Sequence, residues 1–214
     1  MKKLLVINAS ARTAHSYSRS LTEVFVNHWS QRHTNIAIAH RDLGNESIAH
    51  INEEWITAGF TPPADRTLEQ QVILGTSDAY INELRDADVI VLGTPMYNWS
   101  IPSTLKAYID QVLRLNETFS VNFRNPTNPY IGLLQNKKVV MLVARGGGGY
   151  EPDQANEHLN YQTTYLKTIF KMMGIEQVHV ISIDGTSLDK EILKGTVAQA
   201  HQQVKNLIEG IELS

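Results

Sequence analysis

The chain contains no cysteine among its 214 residues. That excludes thiolate nucleophiles, cysteine-ligated metal centres and disulfide staples. No apolar run approaches the ~20 residues that a membrane-spanning helix needs. Leu4 to Ile7, behind Lys2 and Lys3, is too short for the core of a secretion signal, so a soluble, cytoplasmic protein is expected. Positive charge is also scarce: 19 Lys and Arg face 22 Asp and Glu, for a net charge of −3. With no basic run, a nucleic-acid partner is not expected. The 8 histidines are scattered and show no HxH or HExxH spacing, so no metal site is expected. A G-x-S-x-G nucleophile turn is missing, as is a carboxylate pair with an evident role. If the protein is an enzyme, a bound cofactor must carry its chemistry.

What is present is a regular alternation of short apolar strands and amphipathic helices, long enough for one α/β domain over residues 1–214. The strands are expected at Leu4 to Ala9, Ile36 to Leu43, Val89 to Leu92, Lys138 to Ala144 and Gln177 to Ile183. Gly93, Thr94 and Pro95 are expected to stop the third. A first helix, capped by Ser18, carries Leu21, Val24, Phe25, His28 and Trp29 on one face. Later helices are expected in a short stretch before Asp65, at Thr67 to Asp86, from Pro102, at Asn156 to Met173 with Gly174 as stop, and at Leu188 to Ile208. Val72, Leu74, Tyr80, Ile81 and Leu84 are the expected apolar positions of the Thr67 helix. Asn116 to Gln135 interrupts the pattern: Phe119, Val121 and Phe123 alternate with polar residues, and two Asn-Pro pairs signal turns, so an inserted hairpin or flap is expected.

Strands joined by helical crossovers imply a parallel sheet covered on both faces. A dinucleotide-binding order would require a G-x-G-x-x-G turn after the first strand, where this chain has SARTAHSYS. The remaining common doubly wound order is the flavodoxin-like 2-1-3-4-5. Its switch point lies between strands one and three, so the loops after strands one, three and four converge.

Each of those loops has chemistry. The first offers hydroxyls of Ser10, Ser16 and Ser18 beside a helix start, with Arg12, His15 and Arg19 nearby. Unpaired N–H groups and the helix dipole suit such a place to a phosphate, although alone it reads as readily as a capped helix behind a solvated loop. The second, Met96 to Trp99, offers flat or polarisable surface and the Asn98 amide; alone it also fits aromatics capping the sheet. The third, Arg145 to Gly149, lets backbone approach a ring closely, or is simply a mobile glycine loop. A phosphate site, an aromatic platform and a glycine loop at one switch point together describe flavin mononucleotide (FMN).

Three blocks carry a family resemblance: Pro95-Met96-Tyr97-Asn98-Trp99, which fits P-M-Y-N-[FW]; Ser10 with Ser16-Tyr17-Ser18; and Arg145-Gly146-Gly147. Over nearly its whole length the chain resembles the FMN-dependent NADH-azoreductases, which are also NAD(P)H:quinone oxidoreductases. The resemblance implies a flavodoxin-like homodimer with FMN near the dimer interface. Ser10 and Ser16 to Ser18 would hold the phosphate, Pro95 to Trp99 would flank the flavin, and Ala144 to Gly147 would meet its polar edge. Ala144 departs from the family, which often has Ser there. The implied reaction is ping-pong: hydride passes from NADH or NADPH to the flavin, then to an azo compound or quinone. Phe119 and Tyr150, or Phe170 of the partner subunit, are candidates for positioning that acceptor. Two alternatives stand beside this reading, a flavodoxin-type electron carrier serving protein partners and a binding protein without flavin. The insertion at Asn116 to Gln135 and the modest net charge favour the enzyme.

Overall fold

The computed structural model describes residues 2–211. In chain order its elements are β1 (Lys2–Asn8), α1 (Tyr17–Arg32), β2 (Ile36–Asp42), α2 (Glu53–Phe60), α3 (Leu68–Asp86), β3 (Val89–Pro95), α4 (Ser103–Val112), β4 (Phe119–Val121), β5 (Tyr130–Gly132), β6 (Lys138–Ala144), α5 (Thr163–Met172), β7 (Gln177–Ile183) and α6 (Lys190–Gly210). The main sheet runs β2-β1-β3-β6-β7, all parallel. Counted by its own strands, that is the expected 2-1-3-4-5 order. Among the described residues, no helix is long and apolar enough to cross a membrane.

Alternation along the inner strands builds two cores, because successive side chains of a strand point to opposite faces. Leu5, Ile7, Ile90, Leu92, Val139, Met141 and Val143 pack against α3, α4 and α5. Leu4, Val6, Val89, Val91, Val140 and Leu142 pack against α1 and α6 through Leu21, Phe25, Trp29 and Val204. Each such side chain contributes about 1.5–3 kcal/mol of burial, so the inner strands must be apolar on both faces.

Several boundaries differ from the sequence expectation, each for a local reason. β3 continues through Gly93, Thr94 and Pro95, which pair with Leu142, Val143 and Ala144. Pro95 is tolerated as the last residue of the strand. Gly93 permits close approach and does not end the strand: a Cβ there would lie 2.5 Å from Thr22 Cγ2 on α1. The cap of α1 is Ser16, whose hydroxyl accepts from Arg19 N–H at 3.4 Å, and Ser18 lies inside the first turn. The α5 helix starts only at Thr163, because the Asn160 side chain accepts from Thr163 N–H (3.0 Å) and residues 157–159 form a separate 3-10 turn. Val72 is solvent-exposed, and the buried stripe of α3 runs through Leu74, Ser77, Tyr80, Ile81 and Leu84.

The expected insertion is an antiparallel hairpin of β4 and β5. It packs on the C-terminal end of α5, where Leu134 N–H donates to Met173 O at 2.7 Å. A Cβ on Gly132 would fall 2.0 Å from the backbone nitrogen of Gly174, itself a left-handed helix stop at φ +93°. Gly132→Ala therefore forces two backbones apart and should lower unfolding stability by about 1–3 kcal/mol. Gly75→Ala, in the exposed middle of α3 with nothing within 4 Å of the new methyl, should instead raise it by about 0.5–1 kcal/mol. Urea unfolding of both variants checks the pair.

Candidate functional site

Register decides which loops meet. Asn8 of β1 sits opposite Gly93 of β3, and Pro95 of β3 opposite Ala144 of β6. The chain therefore leaves the sheet at three adjacent points, the place where open α/β sheets bind ligands.

The first loop ends at α1. Ser10 and Ser18 are buried; Ser10 Oγ accepts from Arg12 N–H at 3.2 Å, and Ser16 Oγ lies 3.3 Å from Ser18 Oγ. The opening N–H groups of Tyr17 and Ser18 have no carbonyl one turn back within the helix. Donors and the positive dipole end thus coincide with the hydroxyl cluster. Arg19, in the same turn, is engaged by the protein itself. Its Nε donates to Arg12 O (2.9 Å), and Nη2 donates to Ser10 O (2.8 Å) and to Asp42 Oδ1 (2.6 Å). This guanidinium, hydrogen-bonded to Asp42, holds the Asp42 carboxyl below the usual carboxylate range against the opposing effect of burial. Beside the loop opens a cavity of about 320 Å³ lined by His15, Ser16, Tyr17 and Arg19 among others.

The second loop is a tight turn. Tyr97 and Ser100 exchange backbone hydrogen bonds of 2.9 and 3.0 Å, while Asn98 and Trp99 between them adopt φ +47° and +64°. This leaves Trp99 52 % exposed beside the partly exposed Tyr97. Met96 N–H donates to Ala144 O at 2.8 Å, fixing the second loop to the third. A cavity of about 540 Å³ adjoins Tyr97, Asn98, Ile101, Lys106 and Tyr165.

The third loop shows its N–H edge. The carbonyls of Arg145, Gly146 and Gly147 accept from Thr186, Ser187 and Gly185, at 3.0, 3.2 and 2.8 Å. In a trans peptide the C=O and the following N–H point opposite ways. The N–H groups of Gly146, Gly147 and Gly148 therefore point away from the 185–187 segment. Side chains would crowd the loop: a Cβ on Gly147 would lie 3.0 Å from Tyr150 Oη, and one on Gly146 3.0 Å from Ser187 Oγ, on the side of the 185–187 segment. The Arg145 side chain is wholly buried. Its Nη1 donates to Glu151 at 2.8 Å and lies 3.6 Å from Asp184, Nε donates to Gln162 at 3.2 Å, and the guanidinium stacks on Tyr150. Burial pushes the Asp184 carboxyl up against the opposing charge of Arg145.

Ser10, Ser16, Tyr17, Ser18, the Pro95–Trp99 stretch and the Ala144–Gly147 stretch thus gather at one end of the sheet, with Tyr150 packed under the third loop. Phe170 does not join them, since it is packed in the core between the sheet and α5. Phe119 does not join them either. Its ring contacts Tyr130 within the hairpin, which flanks a groove of about 720 Å³ near Lys137 and Gln177, where β6 and β7 begin. Within one chain the insertion lies at the far end of the sheet from the loop cluster. Sequence reading missed Asp42 and Gly44 as parts of the first loop's support. The available signal was an acid and a glycine closing the strand that pairs with β1.

The cluster fits a flavin phosphate and ring in its donor set: hydroxyls and helix N–H groups on one side, an aromatic turn beside it, and a glycine N–H edge across from it. Fold and site together define a flavodoxin-like protein. A family model described as the flavodoxin-like fold matches residues 2–208. The FMN-dependent NADH:quinone oxidoreductase 1 of Trichormus variabilis is 39% identical over 206 residues, spanning 96% of this chain and 95% of that protein. The protein of the same name from Pseudomonas fluorescens is 37% identical over 208 residues, spanning 97% and 98%. Among solved structures, an azoreductase from Bacillus anthracis superposes with a TM-score of 0.88 at 24% identity, covering 99% of this chain and all of that one. An FMN-dependent NADH-azoreductase from the same species, in complex with FMN, gives 0.84 at 24% identity, covering 97% and 98%. The chain belongs to the flavodoxin-like fold family and, within it, to the family of the FMN-dependent NADH:quinone oxidoreductases.

Two outcomes follow from the buried ion pairs. Arg145→Met leaves Asp184 without its cation and should cost about 3–5 kcal/mol of stability, whereas Glu151→Gln, at the exposed side of the pair, should cost less than about 1 kcal/mol; guanidinium unfolding checks both. The folded-state pKa of Asp42 is lowered from an unfolded value of about 3.9. Its stabilising contribution is therefore complete well above that value and is lost as pH falls through the folded pKa. The difference in Tm between the native protein and Asp42→Asn should be constant from about pH 7 to pH 5 and shrink below about pH 4.

Proposed function

We propose that the protein is a cytoplasmic, homodimeric oxidoreductase that holds FMN at the three-loop cluster and uses NADH or NADPH to reduce quinones and azo compounds, donor and acceptor occupying one pocket in turn. The observation that carries this reading is the meeting of a phosphate-type donor set, an aromatic turn and a glycine N–H edge on adjacent strand ends. When bound, FMN supplies the two-electron redox chemistry that the chain's own side chains lack.

The chain's part is to bind and orient. N–H groups of Tyr17 and Ser18, with the hydroxyls of Ser10, Ser16 and Ser18, would receive the phosphate. The Pro95–Trp99 stretch would flank the ring, and the N–H groups of Gly146 and Gly147 would donate to its polar edge and stabilise negative charge there. Ala144 offers no hydroxyl, so the contact at that position would be made by backbone. Quinones and azo compounds share planarity and electron deficiency, which suits stacking beside Tyr97 and Trp99. Hydrogen bonds to a charged phosphate are worth about 1.5–3 kcal/mol each, so the loss of only two should weaken riboflavin relative to FMN by about 100-fold or more.

The test is an absorbance spectrum of the protein after incubation with FMN and desalting, then anaerobic NADH, then a quinone. Retained yellow colour that bleaches with NADH and returns with the quinone is expected. Retained flavin that NADH leaves oxidised would favour an electron carrier, and no retained flavin would overturn the proposal.

A further inference from the structure

We infer that Arg19 is a positioning residue for the phosphate loop: braced by Asp42, it holds the carbonyls of Ser10 and Arg12 so that the start of α1 receives the phosphate, and it does not itself contact the phosphate. This rests on the FMN reading above.

Arg19 occupies the first turn of α1, where a free arginine would be taken for an anion ligand. Its side chain is 13% exposed, and all three of its nitrogens donate to the protein. Nη1 and Nη2 grip both Asp42 oxygens, at 2.9 and 2.6 Å, in the bidentate geometry that only a guanidinium provides. Nε and Nη2 reach Arg12 O and Ser10 O. The charge of Arg19 is balanced by Asp42, and four of its five N–H donors are committed, two to loop carbonyls and two to that carboxylate.

The brace is itself fixed. Asp42 ends β2, accepts from Gly44 N–H (3.1 Å) and Asn45 Nδ2 (2.7 Å), and is followed by Leu43, whose N–H donates to Asn8 O of β1 at 2.8 Å. A Cβ on Gly44 would lie 2.0 Å from Ser10 O and 2.7 Å from Arg19 Nη2. The same contact thus explains both the arginine and the glycine. The consequence for a ligand is electrostatic. Two carbonyl oxygens of a loop that must receive a dianion are drawn onto a cation, so the loop presents N–H groups and hydroxyls without opposing dipoles.

The experiment titrates apoprotein with FMN and with riboflavin by flavin fluorescence, in the native chain and in Arg19→Gln, Arg19→Lys, Asp42→Asn and Gly44→Ala, with a thermal melt of each. All four variants should weaken FMN about tenfold or more, a change of ~1.4 kcal/mol, while riboflavin affinity stays within roughly twofold because the ring subsite is intact. Arg19→Lys keeps the charge but cannot span carbonyls and carboxylate together, so it should behave like Arg19→Gln. Asp42→Asn is decisive. Weaker FMN binding supports the brace, whereas tighter binding would mean that a released Arg19 grips the phosphate directly. Native-like FMN affinity in Arg19→Lys would also overturn the inference, as would equal loss of both flavins in folded variants. Should the glutamine or alanine variant fail to fold, Arg19→Lys and Asp42→Asn, which conserve size and polarity, carry the comparison. A native chain that binds neither flavin would remove the FMN reading itself, whereas native binding with unaffected variants would remove only the role of Arg19.

Discussion

The hydrogen-bonded parallel register of β1, β3 and β6 is the constraint on which the rest of the structure depends. Because these strands are covered on both faces, every position from Leu4 to Ile7, Val89 to Leu92 and Val139 to Val143 must be apolar. They therefore have no polar side chains to contribute. Whatever chemistry the molecule performs is pushed to their ends, where the backbone turns out of the sheet. The same register that pairs Asn8 with Gly93 and Pro95 with Ala144 fixes how three separate loops lie beside one another.

Loops at the end of a buried sheet carry backbone carbonyls and N–H groups that neither strands nor helices satisfy. In this chain two arginines hold such loops from opposite sides, Arg19 through backbone carbonyls and Arg145 through side chains. Arg19 ties the loop after β1 to Asp42, the last residue of the edge strand β2. Arg145, at the start of the loop after β6, lies against Asp184, the first residue after the other edge strand, β7. The inner strands thus supply the three loops, and a carboxylate at the end of each edge strand faces the arginine beside it, with Glu151 the nearer partner of Arg145. Buried ion pairs add little net stability, since desolvation offsets most of the attraction. Their value is geometric: each selects one loop conformation and penalises the others.

This division explains what was legible in the sequence. Strands buried on both faces announce themselves as unbroken apolar runs, as at Lys138–Ala144; the partly buried edge strand Gln177–Ile183 also falls at the expected residues. The absence of a dinucleotide glycine turn was enough to select the strand order. Local residue blocks such as Met96 to Trp99 identified the loops. Features set by packing at a distance were not legible. Gly93 reads as a strand breaker until α1 is laid across it, and Phe170 reads as a candidate ring for the site until α5 turns it into the core. The hairpin was legible as a hairpin, whereas its position beside Gly174 depends on where α5 ends. Arg19 and Asp42 are 23 residues apart, and no local periodicity connects them.

The turn at Asn98 and Trp99 shows how far local preference yields to the site. Asparagine enters the left-handed region readily, but a tryptophan there works against its own Cβ, at roughly 1–2 kcal/mol. A glycine would form the same turn without that penalty. The chain instead accepts the strain and holds it with the Tyr97–Ser100 bonds and with Tyr161 N–H on Trp99 O. What glycine would lack is the ring of this exposed residue at the end of β3, beside the serine loop and the glycine edge. Strained backbone that persists only because its neighbours over-determine it is characteristic of ligand-binding loops. A flat ligand needs a flat wall at a fixed angle, and a rigid, left-handed turn orients a large ring more firmly than an exposed tryptophan on a relaxed loop.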